Sequence, residues 1–150
     1  WQRGKSCAGN KYLHTLVLEY TAQFFAAYKR ERGERGDYPP LFATVTLMEA
    51  HEPSMLRVRT LDRSLAHFLK MLHADGYLED TAVVLASDMG QYRNSFARSP
   101  LGKKEMREPF MYAIVPERFL KAYPETRAAL QHNIHQVCTA YDVYAALRRI

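Results

Sequence analysis

Three features of this sequence point to an α/β fold, a largely parallel sheet flanked by helices. Short, unbroken apolar runs rich in β-branched and aromatic residues occur at 41–48 (LFATVTLM), 82–86 (AVVLA) and 110–115 (FMYAIV), the pattern of strands buried on both faces. Segments with apolar residues every three or four positions alternate with them, as in helices that cross over between neighbouring strands. Two of the runs end in polar clusters, and ligands of open α/β sheets bind beyond the carboxyl ends of the strands.

The first helix is expected over 11–32, where Leu13, Leu16, Val17, Tyr20, Phe24, Ala27 and Tyr28 make one apolar face. Asn10 suits its N-cap and Gly33 its end. Pro39-Pro40 then breaks regular structure before the first buried strand, 41–48, and a loop, EAHEPS, follows. A second amphipathic helix is expected over 54–75 through Leu56, Leu61, Leu65, Phe68, Leu69 and Leu72, closed by Gly76. After a turn at 78–81 the strand 82–86 ends in Ser87-Asp88-Met89-Gly90. Residues 91–108 show no sustained periodicity and read as a long functional or mobile loop. The strand 110–115 is closed by Pro116, a short helical piece reaches Tyr123, and another runs from Pro124 to about His135. Thr139 and Asp142 have capping-box spacing at the start of a terminal helix, 141–150. Residues 1–150 together read as one domain or a portion of one.

Composition narrows the function classes. With 47% hydrophobic and 25% charged residues and seven each of Gly and Pro, the chain is neither collagenous, nor a disordered tail, nor a disulfide-dense miniprotein. No run approaches the roughly 20 apolar residues of a membrane span, and the first residues lack the apolar core of a signal peptide. Lys and Arg number 21 against 16 Asp and Glu, a formal charge of +5, which invites a nucleic-acid reading. The densest charge, KRERGERGD at 29–37, alternates in sign and cancels its own field; it reads better as a solvated helix end, and no nucleic-acid partner is expected. Cys7 and Cys138 allow either one bridge in an oxidising compartment or two buried free thiols.

Chemistry concentrates at the strand ends. Asp88 follows five apolar residues and Ser87 and lies just before Gly90, so its carboxylate either faces a crevice or serves as a turn former or cap. His51, in a Pro-containing loop after the first strand, is a metal ligand, a general base or a surface imidazole. His67 and His73 belong to the second helix, and the pair His132 and His135 has no acidic partner at helical spacing. Lys103 and Lys104, beside Gly102, suit an anionic phosphate or sulfate ester, or are simply solvated. No Walker loop, dinucleotide glycine fingerprint, nucleophile elbow or HExxH motif occurs.

Taken as a series, TAVVLASDMG, GKKEMREPFMYAIVPERF and TAYDVYAAL, with the Cys-Ala-Gly entry at 7–9, the strand leading to His51 and the LDRSLAHFL helix, carry a resemblance. The chain resembles the carboxyl-terminal half of the sulfatase-like domain of the alkaline phosphatase superfamily, most closely a eukaryotic sulfatase-like family first catalogued as a domain of unknown function. The resemblance implies half of an alkaline-phosphatase-like domain and hydrolysis of phosphate or sulfate esters with a divalent metal, zinc or calcium. Asp88 and Gly90 match the family's strand-end Asp-His-Gly or Asp-Asn-Gly motif, whose first two residues bind metal; Met89 departs from it, and a thioether is a poor substitute for imidazole or an amide oxygen. His51 is similar in placement to a family His, and Lys103 or Lys104 resembles the lysine that meets the ester. The nucleophile and first acidic ligands are expected in a half that precedes Trp1. The partners implied are the ester substrate and the remainder of the parent domain or another protein chain, in a secreted or lumenal setting. A catalytically inactive relative serving as a binding or structural module is the alternative that Met89 raises.

Overall fold

The structure, a computed structural model, describes residues 7–36 and 39–148. They fall into two compact units: a larger one up to Tyr77 together with Val84–Tyr112, and a smaller one of Leu78–Val83 and the residues from Ala113 onward.

The larger unit opens on a hairpin of β1 (Cys7–Ala8) and β2 (Lys11–Tyr12), which pair antiparallel with Ala8 opposite Lys11. Its two-residue turn needs a positive φ at the first central position, and Gly9 supplies it at 61°. Asn10 is therefore a turn residue and not a helix cap. Helix α1 (Leu13–Arg35) follows with Tyr12 at its N-cap, runs through Gly33, and stops at Gly36, whose φ of 68° no side-chain-bearing residue adopts cheaply. Its charged end is solvated, with Arg35 and Glu31 3.6 Å apart across one helical turn.

Helix α2 (Val58–Ala74) packs against α1. It starts four residues later than expected and ends as expected, with Gly76 at φ 74° accepting the left-handed turn. The stripe expected on α2 holds from Leu61 onward: Leu61, Leu65, Phe68 and Leu69 are half-buried and Leu72 is 1% exposed, whereas Leu56 precedes the helix and is exposed. The stripe expected on α1 does not. His14, Leu18 and Thr21 are its buried residues, while Leu13, Val17, Tyr20 and Phe24 are exposed. Both sets keep helical spacing, but the buried one carries two polar residues, His14 and Thr21, and beside it Thr15 Oγ1 lies 2.9 Å from Ser64 Oγ of α2. Further along, Phe25 meets the Tyr77 ring edge-on at 5.7 Å, Lys29 Nζ lies 4.8 Å above that ring and donates to the Asp75 carbonyl at 2.8 Å.

The largely parallel sheet is not what forms. β3 (Val83–Ala86) and β4 (Met111–Ile114) lie where two of the strands were expected, but they pair with each other in a two-stranded sheet. The Ser87 amide donates to the Phe110 carbonyl at 3.1 Å, joining the residue after β3 to the residue before β4, which is the antiparallel sense. Residues 41–48 form no strand; Phe42 is 75% exposed and Val45 and Met48 are exposed with it. A β-favouring run becomes a strand only when another backbone satisfies its amides and carbonyls, and among the described residues no strand takes that place.

The expected long loop contains a helix. Ser99 Oγ accepts from the Gly102 amide at 3.0 Å and Pro100 occupies the first turn of α3 (Pro100–Arg107), a cap and a first-turn residue in the order helices use. Cys7 and Cys138 are both exposed free thiols, neither bridged nor buried.

The smaller unit carries three short helices: α4 (Glu117–Ala122), α5 (Pro124–Asn133) and α6 (Ala140–Leu147). None of the three has a buried residue. Local contacts define them: Arg127 Nη2 sits 2.7 Å from Glu117 Oε1, the rings of Phe119 and Tyr123 meet tilted with centroids 4.8 Å apart, and Thr139 and Asp142 complete the expected capping box. Residues 149–150, the end of the expected terminal helix, lie outside the described residues.

Candidate functional site

The loop that carries His51 and the segment that follows Asp88 meet in the larger unit. Gln91 makes the junction: its Nε2 donates to the Glu52 carbonyl at 2.8 Å and to the Ala50 carbonyl at 3.4 Å, while its Oε1 accepts from the amides of Tyr92 and Arg93, each at 2.8 Å. Asn94 repeats the device, donating to the Pro53 carbonyl at 3.2 Å and accepting from the Ala97 amide at 3.0 Å. Each primary amide thus uses its donor across the junction and its acceptor at home. The rings of His51 and Tyr92 stand 6.4 Å apart as a result.

The His51 loop is shaped from within as well. The His51 amide donates to the Met48 carbonyl at 3.0 Å, and the Glu52 carboxylate accepts from both the amide and the hydroxyl of Ser54, at 2.6 and 2.7 Å. Those two bonds, the hydroxyl foremost, hold the Glu52 carboxyl below its ordinary range. Met55 has a φ of 61°, a left-handed backbone at a residue with a full side chain. Such strain costs about 1 kcal/mol or more and persists where surrounding bonds impose it.

Asp88 is exposed, and its Oδ1 accepts from the Met89 amide at 2.9 Å. The Ser87 hydroxyl donates to the Met89 carbonyl at 2.8 Å, so both ends of the Met89 residue are fixed, and its side chain is 46% exposed. Gly90 is held down by α3: its amide donates to the Met106 carbonyl at 3.2 Å, and a Cβ there would strike the Glu105 carbonyl oxygen. Gly102 is tied in the same way beneath Phe96. These two glycines are close-approach positions, where any side chain would force backbone apart.

Lys103 and Lys104 therefore ride on helix α3 and not on a loop. Both are exposed, and Lys104 Nζ is 3.9 Å from Glu108 Oε2, one turn on. What α3 brings against the Asp88 segment is its last-turn backbone, at Glu105 and Met106. The structure thus joins the His51 loop to the Asp88 segment and seats α3 beneath that segment. Among the described residues no three His, Cys, Asp or Glu side chains gather as a metal cage.

Four residues of this region carried no motif in the sequence. Gln91 and Asn94 are two; His14 and Glu49 are the others. His14 Nδ1 lies 3.0 Å from Glu49 Oε1, with His14 2% and Glu49 9% exposed, and Tyr12 stacks on the imidazole at 5.1 Å. Among the described residues, His14 Nε2 and Glu49 Oε2 are buried with no hydrogen-bond partner. Both residues line a cavity of about 200 Å³ with Tyr12, Arg57 and Thr60. The signal that was available is the polarity of a position inside α1's helical spacing, a His where apolar residues alternate.

Among the described residues no helix is long and apolar enough to cross a membrane. No curated protein and no solved structure matches this chain. A family model described as a protein of unknown function, DUF229, matches residues 1–150, and the chain belongs to that family.

Proposed function

We propose that this chain is part of a sulfatase-like, metal-dependent hydrolase domain acting on phosphate or sulfate esters. Membership of the DUF229 family supports this reading through the resemblance carried by TAVVLASDMG and its neighbouring blocks. The observation that carries it is the Gln91 junction, which draws the loop of His51 to the strand-end segment of Asp88 across 39 residues of sequence. Two side chains able to ligate a metal thereby come from two adjoining segments.

In this reading Asp88 and His51 hold a divalent metal, zinc or calcium. A carboxylate suits either ion and an imidazole suits zinc. Such an ion, when bound, supplies Lewis-acid polarisation and neutralises charge developing on an ester. Lys103 or Lys104 meets the anionic oxygens of the ester as a mobile point charge, a role for which an exposed lysine on one helix face is adequate. The nucleophile and the remaining ligands come from the rest of the parent domain or from another chain.

Met89 favours a second reading, a catalytically inactive relative that keeps the fold as a binding or structural module. Its thioether occupies the motif position that takes imidazole or amide in active relatives, and it is soft where zinc and calcium want nitrogen or oxygen.

Elemental analysis of the full-length protein, purified without chelator, separates the two. Near-stoichiometric zinc or calcium that falls in Asp88→Ala, together with turnover of an aryl phosphate or aryl sulfate, is the outcome the hydrolase reading expects. Metal-free protein that turns over neither ester with any added divalent ion leaves the module reading standing.

A further inference from the structure

We infer that the buried His14–Glu49 pair is a positioning latch that sets where His51 stands, with Glu49 the anchor on the loop and His14 its post on α1. The inference rests on the metal-site reading above for its purpose, though not for its geometry. Glu49 precedes His51 by two residues, and its carboxylate is fixed at 3.0 Å to an imidazole at the start of the longest helix of the chain. The far side of the same loop is held by Gln91 and Asn94 at three carbonyls, those of Ala50, Glu52 and Pro53. His51 therefore sits between an anchor in the helix layer and a pair of clamps from the Asp88 side.

The pair is a poor choice for stability alone. His14 Nε2 and Glu49 Oε2 are buried without a partner among the described residues, and two apolar side chains of similar volume would fill the same space with no polar group stranded. Tyr12 stacks on the imidazole and fixes its plane, so the direction of the bond to Glu49 is set from behind. A bond that is directional, buried and costly specifies position where an apolar contact would let the loop slide.

The test uses the full-length protein with labelled histidine and aromatic rings. The double variant His14→Phe with Glu49→Leu removes the latch while leaving no unpaired polar group, and its melting temperature should match or exceed that of the parent. Its His51 ring should nevertheless lose the nuclear Overhauser contact with Tyr92 that a 6.4 Å ring separation produces. Zinc affinity should fall about tenfold or more, the usual effect of loosening a ligand's support. Glu49→Gln, which still accepts from the imidazole, should keep both. A folded double variant that retains the His51–Tyr92 contact overturns the latch. If the parent binds neither zinc nor calcium, the metal reading fails by itself, and the ring contact still decides the latch.

Discussion

The two units hold their helices by different means. In the larger, α1 and α2 pack along a shared stripe, and side chains distant in sequence interlock: Thr15 with Ser64, Phe25 with Tyr77, Lys29 with Asp75. In the smaller, α4, α5 and α6 bury no residue, and their bonds span ten residues or fewer. Helices of six to ten residues are marginal in water by themselves, so caps and ion pairs matter most where packing contributes least. The difference teaches where function is to be looked for. The polar network that joins His51 to the Asp88 segment belongs to the unit in which side chains distant in sequence interlock.

The largest effect follows from breaking the packed side. Leu72→Ala truncates a side chain of α2 that is 1% exposed, and should cost about 2–5 kcal/mol in chemical denaturation. Leu130→Ala in α5, at 36% exposure, should cost less than about 1 kcal/mol by the same measurement. Equal losses at the two positions would erase the contrast.

A smaller effect follows from the capped side. Thr139→Ala removes the hydroxyl that Asp142 and its amide share at the start of α6. The expected loss is about 1 kcal/mol, read as faster amide exchange confined to α6, while amides of α1 and α2 keep their protection.

The smallest effect is one of pH. The Thr139 hydroxyl and then its amide hold the Asp142 carboxyl below its ordinary value of 3.8. A depressed carboxyl pKa adds stability that is fully present above the unfolded value and is lost as pH falls through the folded one. Acid below about pH 4 should therefore fray α6 from its first turn. Glu52 has the same sign through Ser54, so its loop should loosen below its ordinary value of 4.5. Carboxyl carbon shifts of Asp142 and Glu52 that titrate as free side chains do would remove this prediction.

How much of this was legible beforehand depended on range. Thr139 with Asp142, Gly76, and the strands near 83–86 and 111–114 were readable because a cap, a left-handed turn and a short apolar run are properties of neighbouring residues. Helix α3 was readable too, from Ser99-Pro100, yet the absence of an apolar stripe hid it. At the candidate site Asp88 and His51 could be named because each follows an apolar run, whereas Gln91 and Asn94 could not: a primary amide in a loop looks alike whether it meets solvent or a carbonyl 39 residues away.

Local chemistry, then, set the caps, turns and apolar runs, because those depend on residues within a few positions of one another. Three matters were left to long-range packing. α1 carries an apolar set, Leu13, Val17, Tyr20 and Phe24, yet tertiary packing buries the neighbouring set of similar spacing, His14, Leu18 and Thr21, two of which are polar. β3 and β4 were strands from their composition, but the antiparallel sense came from which backbone met which. Residues 41–48 have every strand preference and form none, since a strand is made by its partner's hydrogen bonds as much as by its own side chains.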